Sequence, residues 1–176
     1  MRTILLGLGA VGLLACGVPG TTDGGVTDAG AEDAGVVNVS LAGARTATLV
    51  ATGLVANFNV MPNRGEVSLV ANSSTEETYF AFFFDGPPTA GTVVGNDAGV
   101  DCTIRVIVPG PSLDGWLANR GSGLPDLGTC SLVLSAVALK TDVTTQRRYT
   151  IHGTVGGTLP ARSGAATGSI TYSASF

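Results

Sequence analysis

The chain has 176 residues, of which 44% are apolar, 12% charged and 6% aromatic, with a formal net charge of −4. That is long enough for one domain with a real hydrophobic core. The acidic balance and the lack of a basic cluster exclude a nucleic-acid binder held by phosphate contacts. One histidine and three cysteines are too few for the usual His/Cys zinc sites.

Arg2 precedes an apolar run from Ile4 to Ala15, broken only by glycines. At about twelve residues it falls short of the roughly 20 that a membrane-spanning helix requires. It has the size of the apolar segment of a signal peptide. The run ends in Leu13-Leu14-Ala15-Cys16, which resembles the lipobox of bacterial lipoproteins, with Leu14 bulkier than the commonest residue at its position. The resemblance covers the first 16 residues. It implies that 1–15 are a signal peptide, that the Cys16 thiol carries diacylglycerol, and that the chain is cut before Cys16 and acylated (palmitate) on the new amine. In that family Asp directly after the cysteine retains a protein at the inner membrane; Gly17 therefore implies the outer membrane. Each buried methylene contributes about 0.8 kcal/mol, and two or more acyl chains hold durably. The membrane is thus the expected partner through the anchor, with an envelope protein or glycan as a further one.

Within the segment 16–35 a period of five appears from residue 22, TDGGV, TDAGA and EDAGV, placing Asp23, Asp28 and Asp33 in step. The segment lacks the large apolar residues that offset the entropy of ordering, so it reads as a disordered tether. As a Gly-rich coil it spans on the order of 25 Å. Its acids do not alternate around a tight turn as calcium ligands do, so a spacer is favoured over a cation site. Of nine basic and thirteen acidic residues, Arg2 and four acids lie before residue 36, leaving eight and nine in the remainder. The acidity belongs mostly to the tether, and residues 36–176 are nearly neutral.

From residue 36 the pattern has period two. Val37, Val39 and Leu41 alternate with Asn38 and Ser40. Ala47, Leu49 and Ala51 follow, then Leu54, Ala56, Phe58 and Val60, then a turn at MPNRG. Val67, Leu69 and Ala71 come next, then a turn at NSSTEE. TYFAFFF is apolar on both faces and predicts a central strand, ended by DGPP, since proline cannot donate to a ladder. Cys102, Ile104, Val106 and Val108 align on one strand, and Cys130, Leu132, Leu134 and Ala136 on another. Tyr149, Ile151, Val155 and Leu159 precede a turn at PARSGAATG, and Ile170, Tyr172, Ala174 and Phe176 end the chain. Eight or nine short strands predict an all-β antiparallel sandwich, with a closed barrel as the alternative. The short strands and missing aromatic girdles argue against a membrane barrel. Residues 109–128 read as a long irregular loop, with Ser112 capping a helical turn through Leu113, Trp116 and Leu117 that stops at Gly121.

With Cys16 lipidated, Cys102 and Cys130 remain as a pair in an exported chain. A disulfide is expected, with two buried thiols as the rival. His152 falls among threonines on the outward face of a strand, and no Gly-x-Ser-x-Gly elbow exists, so it reads as a solvated residue and not a triad base. Asp85, Asp97, Asp101, Asp114 and Asp126 fall at strand ends and in loops, where turn chemistry accounts for them more simply than a glycosidase pair. The same holds for calcium at Asp97 and Asp101. No phosphate or dinucleotide fingerprint is present, so no cofactor or metal is expected. Trp116 either plugs the core or is the candidate ligand contact of the 109–128 loop. The pattern predicts a lipid-anchored, non-catalytic envelope module, structural or protein-binding. A carbohydrate or small-ligand binder is the second reading and a hydrolase the third.

Overall fold

The computed structural model describes residues 36–176 apart from positions 98, 122 and 124; the expected signal peptide 1–15, the lipidation residue Cys16 and the tether 16–35 lie outside the described residues. Ten strands follow in order: β1 (Asn38–Gly43), β2 (Ala47–Asn59), β3 (Arg64–Asn72), β4 (Glu77–Asp85), β5 (Gly91–Val94), β6 (Val100–Val108), β7 (Asp114–Arg120), β8 (Thr129–Val143), β9 (Gln146–Ser163) and β10 (Ser169–Ser175). The all-β antiparallel class expected from the alternation is the class observed.

The strands form one sheet in the order β10-β1-β2-β3-β4-β6-β7-β9-β8-β5, and β10 also pairs with β9. Eight strands therefore close into a ring around a shared interior. Opposite arcs of one curled sheet face each other across the core, so the layering of a sandwich arises from a barrel-like closure. Alternate residues point inward: Val39 and Leu41 from β1, Phe80 and Phe82 from β4, Ile104 and Val106 from β6, Leu132 from β8, Leu159 from β9 and Ile170 from β10 are all buried. The Phe80 and Tyr172 rings meet at 5.2 Å between centroids.

β2 bends at a bulge between Ala51 and Gly53. Its first half pairs with β1, while its end, Asn57 to Asn59, pairs with the start of β9. β9 is long enough to meet four strands. β8 runs along most of it, β10 takes Thr154 to Pro160, and β7 takes only Ala161 and Ser163. That last contact, two residue pairs long, is the seam of the ring. Two glycines allow close packing around Cys102 and Cys130. A methyl at Gly157 would meet the Thr129 carbonyl and the Tyr172 hydroxyl. One at Gly95 would lie 2.5 Å from the sulfur of Cys102 and 2.6 Å from that of Cys130.

Two expectations are corrected. Residues 109–128 are not one loop with a helical turn: Asp114–Arg120 is strand β7, paired with β6 along its length. The reason is visible in its burial. Trp116 and Ala118 point inward, but Gly115 and Asn119 on the other side are also covered, which erases the period of two. Likewise the turn expected to begin at Pro160 starts later, because β9 continues through Ser163.

Candidate functional site

Cys102 opens the inward face of β6 and Cys130 that of β8. Both are buried, their Cα atoms are 6.6 Å apart, and they form a pair at disulfide distance. They tie β6 to β8 at the end of β7 away from the two-pair seam. This site is structural.

Trp116 lies on β7 with its indole in the core, 6% exposed, and its Nε1 donates to the Thr167 carbonyl at 3.3 Å. The ring closes the interior beneath the β9–β10 turn. The side chains that face solvent in the old 109–128 segment are others, chiefly Leu113. His152 is exposed on β9, opposite Ala136.

Asp85, Asp101 and Asp126 lie where β4 ends and β6 starts, around Gly99 and Gly121, whereas Asp114 sits at the other end of β7. Asp114 accepts from the Ala165 amide at 2.7 Å and Asp126 from the Gly121 amide at 3.1 Å, so both brace turns. Asp97 sits in the turn before β6, where its carbonyl accepts from Val100. Asp85 ends β4, and Asp101 is bound to Arg64 at 2.7 Å. Among the described residues no cluster of three or more His, Cys, Asp or Glu is arranged to hold a metal.

The surface with the most binding chemistry is the outward face of β3, β4 and β6, a place where pattern reading saw only a doubly apolar strand. Register sets three rows across it. Glu66, Phe83 and Asp101 form one; Ser68, Ala81 and Thr103 the next; Val70, Tyr79 and Arg105 the third. The third row continues onto Leu117 of β7 and the second onto Asn119. The Arg64 guanidinium lies 5.3 Å from the centroid of Phe83 and that of Arg105 lies 5.7 Å from Tyr79. Such cation–π stacking is worth about 0.5–1 kcal/mol where solvent-exposed. Ala81 between them is 0% exposed although it points outward. The planar groups therefore lie across the sheet as a flat platform. Burial raises the Tyr79 pKa, with Glu66 adding to the rise and Arg105 opposing it, so the phenol stays neutral and keeps its proton as a donor. The signal in the sequence was the apolar outer face of TYFAFFF together with Arg105 two strands away, but only the register brings them together.

Comparison with protein-family models, curated proteins and solved structures finds no match for this chain.

Proposed function

We propose that the chain is a non-catalytic binding module of the cell envelope, held at the outer membrane by acyl chains on Cys16, whose β3–β4–β6 outer face takes a protein partner. The observation that carries the binding face is the platform of Tyr79, Phe83, Arg64 and Arg105. Aromatic residues and arginine dominate the energetics of protein interfaces. Here they are already stacked and ordered, so little side-chain entropy remains to be lost on association. Arg64 is neutralised by Asp101, whereas Arg105 is exposed and presents a guanidinium plane that suits a partner's carboxylate. The anchor rests on the Leu13–Cys16 resemblance alone. The glycan reading moves from Trp116, whose indole is inside, to the same platform, where rings compete for a sugar face.

The test is photo-crosslinking in cells from a probe at position 105, compared with one at the exposed Thr154 of β9. The expected result is a discrete protein adduct from position 105 only, in a chain that partitions into detergent until Cys16→Ser makes it water-soluble. Equal labelling from both positions, or no adduct from position 105, would overturn the binding face. A wild-type chain that stays in water would overturn the anchor.

A further inference from the structure

The three rows on the outer face of β3, β4 and β6 differ in charge. The row of Glu66, Phe83 and Asp101 holds two carboxylates, and register extends it to Asn57 of β2. The row of Val70, Tyr79, Arg105 and Leu117 has one guanidinium as its only charge. The row between them carries the small side chains of Ser68, Ala81 and Thr103 and reaches Val55 of β2. Arg105 is exposed, and among the described residues no carboxylate forms a salt bridge with it. Asp101 bonds Arg64, but its side chain is 26% exposed, so a second guanidinium can reach it.

We propose that the partner of this binding face is the same face of a second copy of the chain, related by a two-fold axis along the Ser68–Ala81–Thr103 row; the pairing rests on the face being a binding face at all. Two identical faces can meet about an axis along the rows or about one along the strands. An axis along the rows exchanges the outer two rows. Arg105 then lies over Asp101 of the second copy and Tyr79 over its Phe83, and each contact occurs twice. An axis along β4 instead sets Asp101 over Glu66 of the second copy and Arg105 over its Val70. Facing like charges are costly and facing opposite charges are not, so the charges select the axis along the rows. Strands of the two copies then lie nearly aligned, as in packed sheets, and the small central row lets the sheets approach to about 10 Å. Glu77 and Asp85, both exposed at the ends of β4, meet only at the rim, where salt screens their repulsion. Strands β2, β3, β4, β6 and β7 at about 4.8 Å spacing, crossed by three rows about 6.7 Å apart, cover on the order of 500 Å2 on each copy. The total of about 1,000 Å2 is at the low end for a specific interface, which makes the dimer weak and reversible.

The full chain with Cys16→Ser, followed by sedimentation equilibrium, is expected to show a reversible monomer–dimer equilibrium. At about 1 mM even a Kd of about 1 mM leaves half the chains paired. Arg105→Asp should weaken the dimer at least about tenfold, because carboxylates then face each other. Asp101→Arg should do the same with facing guanidiniums. An equimolar mixture of the two variants, each shown to be folded by circular dichroism, should pair again, since each supplies the charge the other lacks. Thr103 lies on the axis and faces its own copy. Thr103→Cys should therefore be joined to itself by a short bismaleimide, whereas Thr154→Cys on β9 should not, and this readout does not need Asp101→Arg to fold. A chain that stays monomeric up to about 1 mM, a dimer indifferent to Arg105→Asp, a mixture of folded variants no better paired than its parts, or no crosslink from Thr103→Cys would each overturn the pairing. With the pairing overturned, a photo-crosslink from position 105 to another protein would leave the binding face standing with a different partner, and no adduct would remove both.

Discussion

Glu76 shows how one buried charge is kept. Its carboxylate is 4% exposed, yet it accepts from Arg45 Nε at 2.9 Å and from Ser73 Oγ at 2.7 Å, with the Thr75 hydroxyl as a further donor. Burial pushes its pKa up, but Ser73, Thr75 and Arg45 together outweigh burial and hold it below the usual carboxylate value. A folded-state pKa below the unfolded one means that stability is present above about pH 4.3 and is lost as pH falls through the depressed value. Glu76→Gln should therefore cost about 1–3 kcal/mol at neutral pH and flatten the acid limb of a stability profile followed by circular dichroism. Tyr172 is the opposite case. Among the described residues its hydroxyl has no hydrogen-bond partner, and burial raises its pKa far beyond the physiological range. Removing a desolvated, unpaired hydroxyl restores nothing to water, so Tyr172→Phe should be neutral or stabilising by up to about 1 kcal/mol in urea unfolding.

Among elements, β7 separates what pattern reading can see from what it cannot. β1, β2, β3, β6 and β10 were legible because one face is buried and the other wet, which writes period two into the residues themselves. In β7 the spacing of Leu113, Trp116 and Leu117 imitates a helical turn. Gly115 hides its position against Ser163, and Asn119 is covered although polar. The segment is a strand because β6 and β9 offer it backbone partners, information that lies about 10 and 45 residues away. Trp116 supplies the packing that holds it. Trp116→Ala should cost about 3–5 kcal/mol and lower the denaturation midpoint. In the unmodified protein the indole emission should be blue-shifted and move to the red only on unfolding. The platform was half legible in the same sense: the apolar outer residues of β4 could be read, but which charges stand beside them follows from register.

For the whole molecule, the point of weakness is the closure of the ring. The seam between β7 and β9 has two residue pairs, whereas β3 and β4 share nine. The Cys102–Cys130 pair lies at the other end of β7, where Cys102 faces Arg120 and Cys130 faces Gly157, with a sequence separation of 28, and closing a loop of that length stabilises a fold by roughly 3–4 kcal/mol on chain-entropy grounds. Reduction with a phosphine should lower the unfolding free energy by about that amount. It should also raise hydrogen exchange first at the end of β7 and the start of β8, which flank the pair, leaving β2–β3 protected. Uniform loss of protection would contradict a local role for the pair.

The amino-acid order alone determined the contrast between an acidic, glycine-rich stretch before residue 36 and a nearly neutral remainder, the all-β class, most of the inward-facing residues and the pairing candidates among the cysteines. These are matters of local composition and of a repeat of two, which a strand half in water imposes on its own residues. Tertiary structure decided the closure of the sheet, the identity of β7, the interior position of Trp116 and the assembly of Tyr79, Phe83, Arg64 and Arg105 on one face. Each of these depends on which distant backbone supplies the partner hydrogen bonds, and a strand's own side chains do not encode its neighbour.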